Sequence, residues 1–210
     1  MRTNPDYAMD PADLKRLVRE NPWATLVAAT SAGLVASHYP VMLDETREEL
    51  SLLTHVGRPD EEVLGLGSGE LLVIVAGPHG YVSPSWYGTS PAVPTWNFVV
   101  AHLAGVPEVL SAEQNLVALA AMVDHLELPV VSPRPLLADP VDAAYARRIS
   151  AGTVGLRLTP TRVTTKAKLS QDKPPEVVQR VIAELGGSGP YAAPALAAEM
   201  RRVRAEDPRG

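Results

Sequence analysis

Two alternating runs hinged on a tight turn constrain this chain most. "WATLVAAT" (residues 23–30) and "LVASHYPVMLD" (residues 34–44) flank Ser31-Ala32-Gly33, the pattern of two antiparallel strands joined as a hairpin. Strands joined by so short a connection cannot lie parallel, because a parallel crossover needs a dozen or more residues. "ELSLLTHV" supplies a third strand. After Gly65, Gly67 and Gly69, "LLVIVAG" supplies a fourth, continuously apolar and so expected to be covered on both faces. From Thr95, "TWNFVVAHLAGVPEVL" reads as a long strand in which Gly105 and Pro107 mark a bulge or corner. "TVGLRLTPTRVTTKAKLS" returns late in the chain as one alternating strand, with Val154, Leu156 and Leu158 on one side. Six or seven such strands predict an α+β, mainly β fold: a small antiparallel β-barrel with peripheral helices, rather than a doubly wound parallel sheet.

Helical signals fill the gaps. Asp10-Pro11 before "ADLKRLVREN" places an acidic cap and a first-turn proline ahead of Leu14, Leu17 and Val18 on one face. Residues 59–66 have helical character. "SAEQNLVALAAMVDHLE" carries a serine cap, and "DPVDAAYARRIS" follows a proline-rich connection. Two terminal helices, residues 174–185 and 194–204, are separated by "GGSGP". The expected organisation is a barrel domain over residues 1–187 with a helical excursion at 111–150, then a C-terminal helical tail at 188–210.

Composition removes several function classes. The chain is 46% hydrophobic and 20% charged, too apolar to stay disordered. No apolar run reaches the length of a bilayer crossing. "MRTNPDYAMD" has prolines and acids where a signal peptide carries an apolar block, so a cytoplasmic location is expected. A net charge of -5 offers no global attraction to nucleic-acid phosphates, and the basic excess in "EMRRVRAEDPRG" is diluted by Glu199, Glu206 and Asp207. With no cysteine, a transition metal must be held by histidine or carboxylate, or arrive inside an organic cofactor. Nucleotide-binding glycine loops, zinc-peptidase helices and the Gly-x-Ser-x-Gly elbow are missing from the sequence.

The chemistry-bearing residues concentrate in a few places. Residues 77–98, "GPHGYVSPSWYGTSPAVPTWNF", hold two of the three tryptophans, with Pro78, Pro84, Pro91 and Pro94 stiffening the backbone. Trp86, Tyr87 and Trp96 suit either the wall of a planar-ligand pocket or the packing of a barrel corner or dimer interface. His55 ends an apolar strand with Arg58 three residues on, which suits either a solvated strand-end histidine or, since a single histidine suffices, the axial ligand of an iron porphyrin. His38 lies within a strand, His79 in a Gly-Pro-His-Gly turn, and neither has a partner at chelate spacing. Lys166, Lys168 and Lys173, with Ser170 and Gln171, form a cationic rim suited to a phosphate, propionate or amino-acid carboxylate, or else a solvated connection.

Taken in order, "DLKRLVRENPWATLV", "ASHYPVMLD", "HVGR", "GPHGYVSPSWY", "VPTWNF" and "KAKLSQDKP" resemble the PaiB-like family, the FMN-binding negative transcriptional regulators. The resemblance covers about residues 10–185. It implies the FMN-binding split barrel fold, a homodimer, and a cofactor site at the subunit boundary. The family includes haem-dependent piperazate synthase, which joins two nitrogens of an N-hydroxylated ornithine. Likeness to that branch implies haem b on His55 as axial ligand, with Arg58, Tyr81, Ser83, Trp86, Trp96, Lys166 and Lys168 holding cofactor and an amino-acid substrate. "SPSWY" has the form of the regulator branch, which implies FMN instead, its phosphate near Ser83, Ser85, Lys166 and Lys168, and contact with nucleic acid through a partner or the C-terminal helix.

Overall fold

The computed structural model describes residue 1, residues 4–67 and residues 69–206, with the backbone alone for residue 206. Residues 2, 3, 68 and 207–210, the last of these ending the expected C-terminal tail, lie outside the described residues. The elements run α1 (Pro11–Glu20), β1 (Trp23–Thr30), β2 (Gly33–Leu43), β3 (Leu52–Gly57), α2 (Arg58–Val63), β4 (Leu71–Val82), a 3-10 turn (Pro84–Tyr87), β5 (Thr95–Gly105), β6 (Glu108–Val109), α3 (Ala112–Glu127), α4 (Pro140–Ser150), β7 (Thr153–Leu158), β8 (Arg162–Lys168), α5 (Pro175–Leu185) and α6 (Pro194–Glu206). The strands hydrogen-bond in the order β6-β7-β3-β2-β1-β4-β5-β8.

The hairpin forms as read: Thr30 faces Gly33, and Gly33 takes the positive φ of 109° that the turn requires. Two readings change. The apolar strand does not stop at Gly77 but continues as β4 through Pro78 to Val82, which puts His79 on a strand rather than in a turn. Its ladder with β1 covers only Leu71–Val75, so Pro78 costs no bond to that neighbour. The late alternating run is two strands, β7 and β8, because Pro160 interrupts it without a backbone N–H, and Thr161 then donates to the Ala104 carbonyl at 2.9 Å.

The chain divides into two compact units. The central unit holds residues 15–75 and 102–163. In it β1 pairs with β2, β2 with β3, β3 with β7 and β7 with β6, all antiparallel. Ala24, Leu26, Val41, Leu43, Leu52, Val56 and Leu156 are buried along one face, as a period of two demands. On the other face α3 lies over β3 and β7, where Met42, Leu53, Leu110 and Ala118 pack together. A capping box, Ser111 with Gln114, fixes where α3 starts. Arg157 on β7 bonds Asp44 at 2.7 Å and Glu108 at 2.9 Å.

The terminal unit holds residues 1–14, 76–101 and 164–210. Here α5 packs against α6, burying Val181, Ile182, Leu185, Leu196, Ala197 and Met200. Each fully buried aliphatic side chain contributes about 1.5–3 kcal/mol. Gly80 on β4 permits the close approach of this helical pair: a Cβ there would meet Leu196 at 3.1 Å and Ala193 at 3.3 Å. Arg202 on α6 reaches Asp13 at 2.8 Å.

Candidate functional site

In the central unit the residues of interest gather around the C-terminal end of β3. His55 faces Gly155 across the β3–β7 ladder, two residues from the end of β3. The ring is half-buried, its Nδ1 atom is enclosed without a hydrogen-bond partner, and burial pushes the imidazole below its ordinary titration range. At neutral pH it is therefore an uncharged base, the form that ligates metals. Tyr39 meets it edge-on, ring centroids 5.9 Å apart. The Tyr39 hydroxyl is already committed, accepting from the Gly57 N–H at 3.0 Å and donating to Asp60 at 2.9 Å. Ser37 donates to the same carboxylate oxygen at 2.5 Å. This network ties α2 to β2 and holds the turn after His55. Arg58 opens α2, with its guanidinium on the Ala151 carbonyl at 2.6 Å and the Glu61 carboxylate at 3.3 Å.

Register extends the picture across the sheet. Side chains of directly opposed residues share a face, so His55 and Leu53 lie on the face of Met42. The β2–β3 ladder ends at Val41 opposite Thr54, which puts Pro40 next along that face, and Pro40 is paired with Trp23 of β1. Trp23 is 64% exposed and stacks on His38 at 6.4 Å, and Leu34 is 81% exposed. His55 thus stands where helix cover ends and a bare apolar sheet face begins.

In the terminal unit the expected residues fall into three neighbourhoods. Lys168 lines a cleft of about 480 Å³ with Tyr87, Thr95, Ser170 and Lys173, and its ammonium donates to the Thr95 hydroxyl. Behind it Asn97, wholly buried, donates to Ser170 Oγ at 2.9 Å, and Ser170 takes a left-handed backbone at φ 64°. Gln171 clips the end of β8 by donating to the Ala167 carbonyl and accepting from the Leu169 N–H. The "PTWNF" and "KLSQ" motifs therefore meet side chain to side chain. Lys173 is paired with Asp172 at 2.9 Å; that hydrogen bond holds its ammonium above the usual lysine range.

The second neighbourhood is aromatic. Trp96 Nε1 donates to His79 Nδ1 at 3.3 Å, Tyr81 sits 6.2 Å from Trp96, and Tyr191 sits 4.8 Å from Tyr81. Tyr191 also lines a hollow of about 230 Å³ with Ser83, Ser85 and Trp86, where the two serine hydroxyls lie 2.7 Å apart. The third is Lys166, whose ammonium lies over the rings of Tyr7 and Phe98. Trp86, Tyr87 and Trp96 thus have separate surroundings. Sequence reasoning missed Trp23, Tyr39, Asp60, Asn115 and Tyr191; only the exposed alternation around Trp23 offered a signal.

A haem would meet acceptable donor chemistry here. Among the described residues no three histidines or carboxylates group for a bare metal ion, whereas His55 provides one neutral imidazole beside apolar surface. The cavity next to Gly155, lined by Arg58, Leu110, Asn115 and Thr153, is about 160 Å³. That is below the roughly 300–1,000 Å³ of an enclosing ligand pocket, so this cavity does not enclose a macrocycle.

The antiparallel strands in this order make a split-barrel fold. The chain belongs to the family described as "Putative FMN-binding domain", whose model matches residues 1–162. It is similar to "Protease synthase and sporulation protein PAI 2" of Bacillus subtilis (strain 168), 26% identical over 175 residues that span 82% of this chain and 83% of that protein. Among solved structures it is similar to the FAD and heme binding protein from Mycobacterium smegmatis, with TM-score 0.59, 18% identity, and coverage of 82% of this chain and 78% of that one. The flavocytochrome Anf3 from Azotobacter vinelandii gives TM-score 0.57 at 16% identity, covering 79% and 72%. The resemblance read from the motifs is borne out for family and for the FMN-binding split barrel fold.

Proposed function

We propose that this protein is a haem b-dependent enzyme that closes an N-hydroxylated amino acid into a ring through a nitrogen–nitrogen bond, as piperazate synthases do. The observation that carries the reading is His55: half-buried, uncharged, unpaired at Nδ1, and set beside a bare apolar sheet face. Similar folds named for FAD and haem, and for a flavocytochrome, support a haem on this scaffold. A bound haem would supply a Lewis-acidic iron that weakens the nitrogen–oxygen bond of a hydroxylamine. The chain's own part is binding and orientation. His55 would hold the haem iron, Tyr39 and the Asp60 network would fix the imidazole's surroundings, and the apolar face of Trp23 and Leu34 would exclude water once a second copy covered it. Holding amine and hydroxylamine on one substrate in contact favours intramolecular attack. The balance is redox-neutral: the N–O bond breaks, an N–N bond forms, and one water leaves. The test is incubation of haem-loaded protein with an N-hydroxylated ornithine. A cyclic product lighter by one water supports the proposal; unchanged substrate with a haem-saturated protein overturns it.

The family description favours FMN as the cofactor; the second reading is an FMN-binding regulator without turnover. The Ser83–Ser85 hydroxyl pair beside Trp86 suits a phosphate next to a flat ring. A protein purified yellow rather than red-brown, and retained on operator DNA in a salt-sensitive way, would favour it.

A further inference from the structure

Two of the buried side-chain atoms without a partner lie on the same face of the central sheet. One is His55 Nδ1 and the other is Asn115 Oδ1. An unpaired buried polar atom is costly, so two of them on one sheet face call for an explanation.

Asn115 is 3% exposed and sits on α3. Its side chain occupies the space above Gly155, where a Cβ would lie 2.6 Å from Asn115 Oδ1. Gly155 is the register partner of His55, and opposed Cβ positions in such a pair stand about 5 Å apart on one face. The amide orientation is fixed. Asn115 Nδ2 donates to Thr153 Oγ1 at 3.0 Å, and that hydroxyl is itself donating to the Ser150 carbonyl at 2.9 Å, so it can only accept. Oδ1 is therefore the atom turned away from α4. Of the other acceptors near His55, Tyr39 Oη already accepts from the Gly57 N–H and the Gly155 carbonyl from the Leu110 N–H, while Thr54, the adjacent residue on β3, points to the opposite face.

We propose that Asn115 is the positioning residue of His55: its Oδ1 accepts the Nδ1 proton, directly or through one water, so that the Nε2 lone pair is the one left to a ligand. Resting on the haem reading, this supplies what a histidine ligand needs, a second hydrogen bond that selects the tautomer and holds the ring plane. Gly155 is required because any larger residue would push Asn115 off this position.

The test uses the full chain, labelled with nitrogen-15 and freed of cofactor, and reads the tautomer of His55 from its two ring-nitrogen resonances. The expected result is Nε2 far downfield of Nδ1 in the wild type, reversal of that order in Asn115→Ala, and retention of it in Asn115→Asp, which keeps an acceptor. A wild-type ring protonated on Nε2 overturns the proposal, as does an Asn115→Ala spectrum identical to wild type. Should Asn115→Ala fail to fold, the wild type and Asn115→Asp still decide. Haemin titration of the same wild-type sample is a separate readout. An Nδ1-protonated ring with no haem uptake would defeat the haem reading while leaving the Asn115 assignment standing.

Discussion

At the scale of single residues, the most consequential electrostatic contact outside the site is Arg157 with Asp44. Burial alone would raise the Asp44 carboxyl, but hydrogen bonds from Thr46 and Arg157 outweigh it and hold the group below the ordinary carboxylate range. Its side chain is 2% exposed, so removing the guanidinium strands a buried charge. Arg157→Met is expected to cost about 3–5 kcal/mol in urea unfolding. The sign of the pH dependence follows from the depressed value. Asp44 contributes its stability fully above the unfolded carboxyl's pKa of about 3.9, and loses it as pH falls through the folded one. The urea midpoint should therefore fall more steeply below pH 4 in the wild type than in Asp44→Asn; parallel curves would contradict this. His55 was legible in the sequence as a strand-end imidazole with a cation nearby. Its surroundings were not, because Tyr39 and the Asn115 that packs on Gly155 are brought there by register and helix packing, which leave no mark on local sequence.

At the scale of elements, α3 fixes the site from above and β7 from beside. Gly155→Ala would force Asn115 away from its 2.6 Å approach and should destabilise by about 1–3 kcal/mol, read by thermal or urea unfolding. Ser111→Ala removes one arm of the α3 capping box and should cost about 1 kcal/mol in the same assay. A neutral result at either position would mean α3 is not seated as described. The hairpin, α1, α3, α4, α5 and α6 were readable from caps, prolines and periodicity. The two misjudged strands share one cause: Pro78 and Pro160 have identical local chemistry but opposite outcomes. Pro78 lies beyond the span that β1 pairs, so the strand survives it, while Pro160 falls where the chain must change partner.

At the scale of the whole molecule, the sheet face carrying Trp23 and Leu34 leaves large apolar side chains exposed. A homodimer covering it is part of the functional proposal, and sedimentation should give twice the chain mass for the wild type. Trp23→Asp with Leu34→Glu should give the monomer and weaken cofactor uptake; a monomeric wild type that still takes up haem would remove the dimer from the account. Family and barrel were legible because the turn pattern and the "PTWNF" and "KLSQ" motifs are local, whereas the choice of cofactor depends on contacts among residues far apart in sequence. The most direct measurement is the absorption spectrum of haem-reconstituted protein beside its His55→Ala variant. The account predicts a histidine-ligated Soret band in the wild type that shifts or vanishes in the variant. Identical spectra would contradict it.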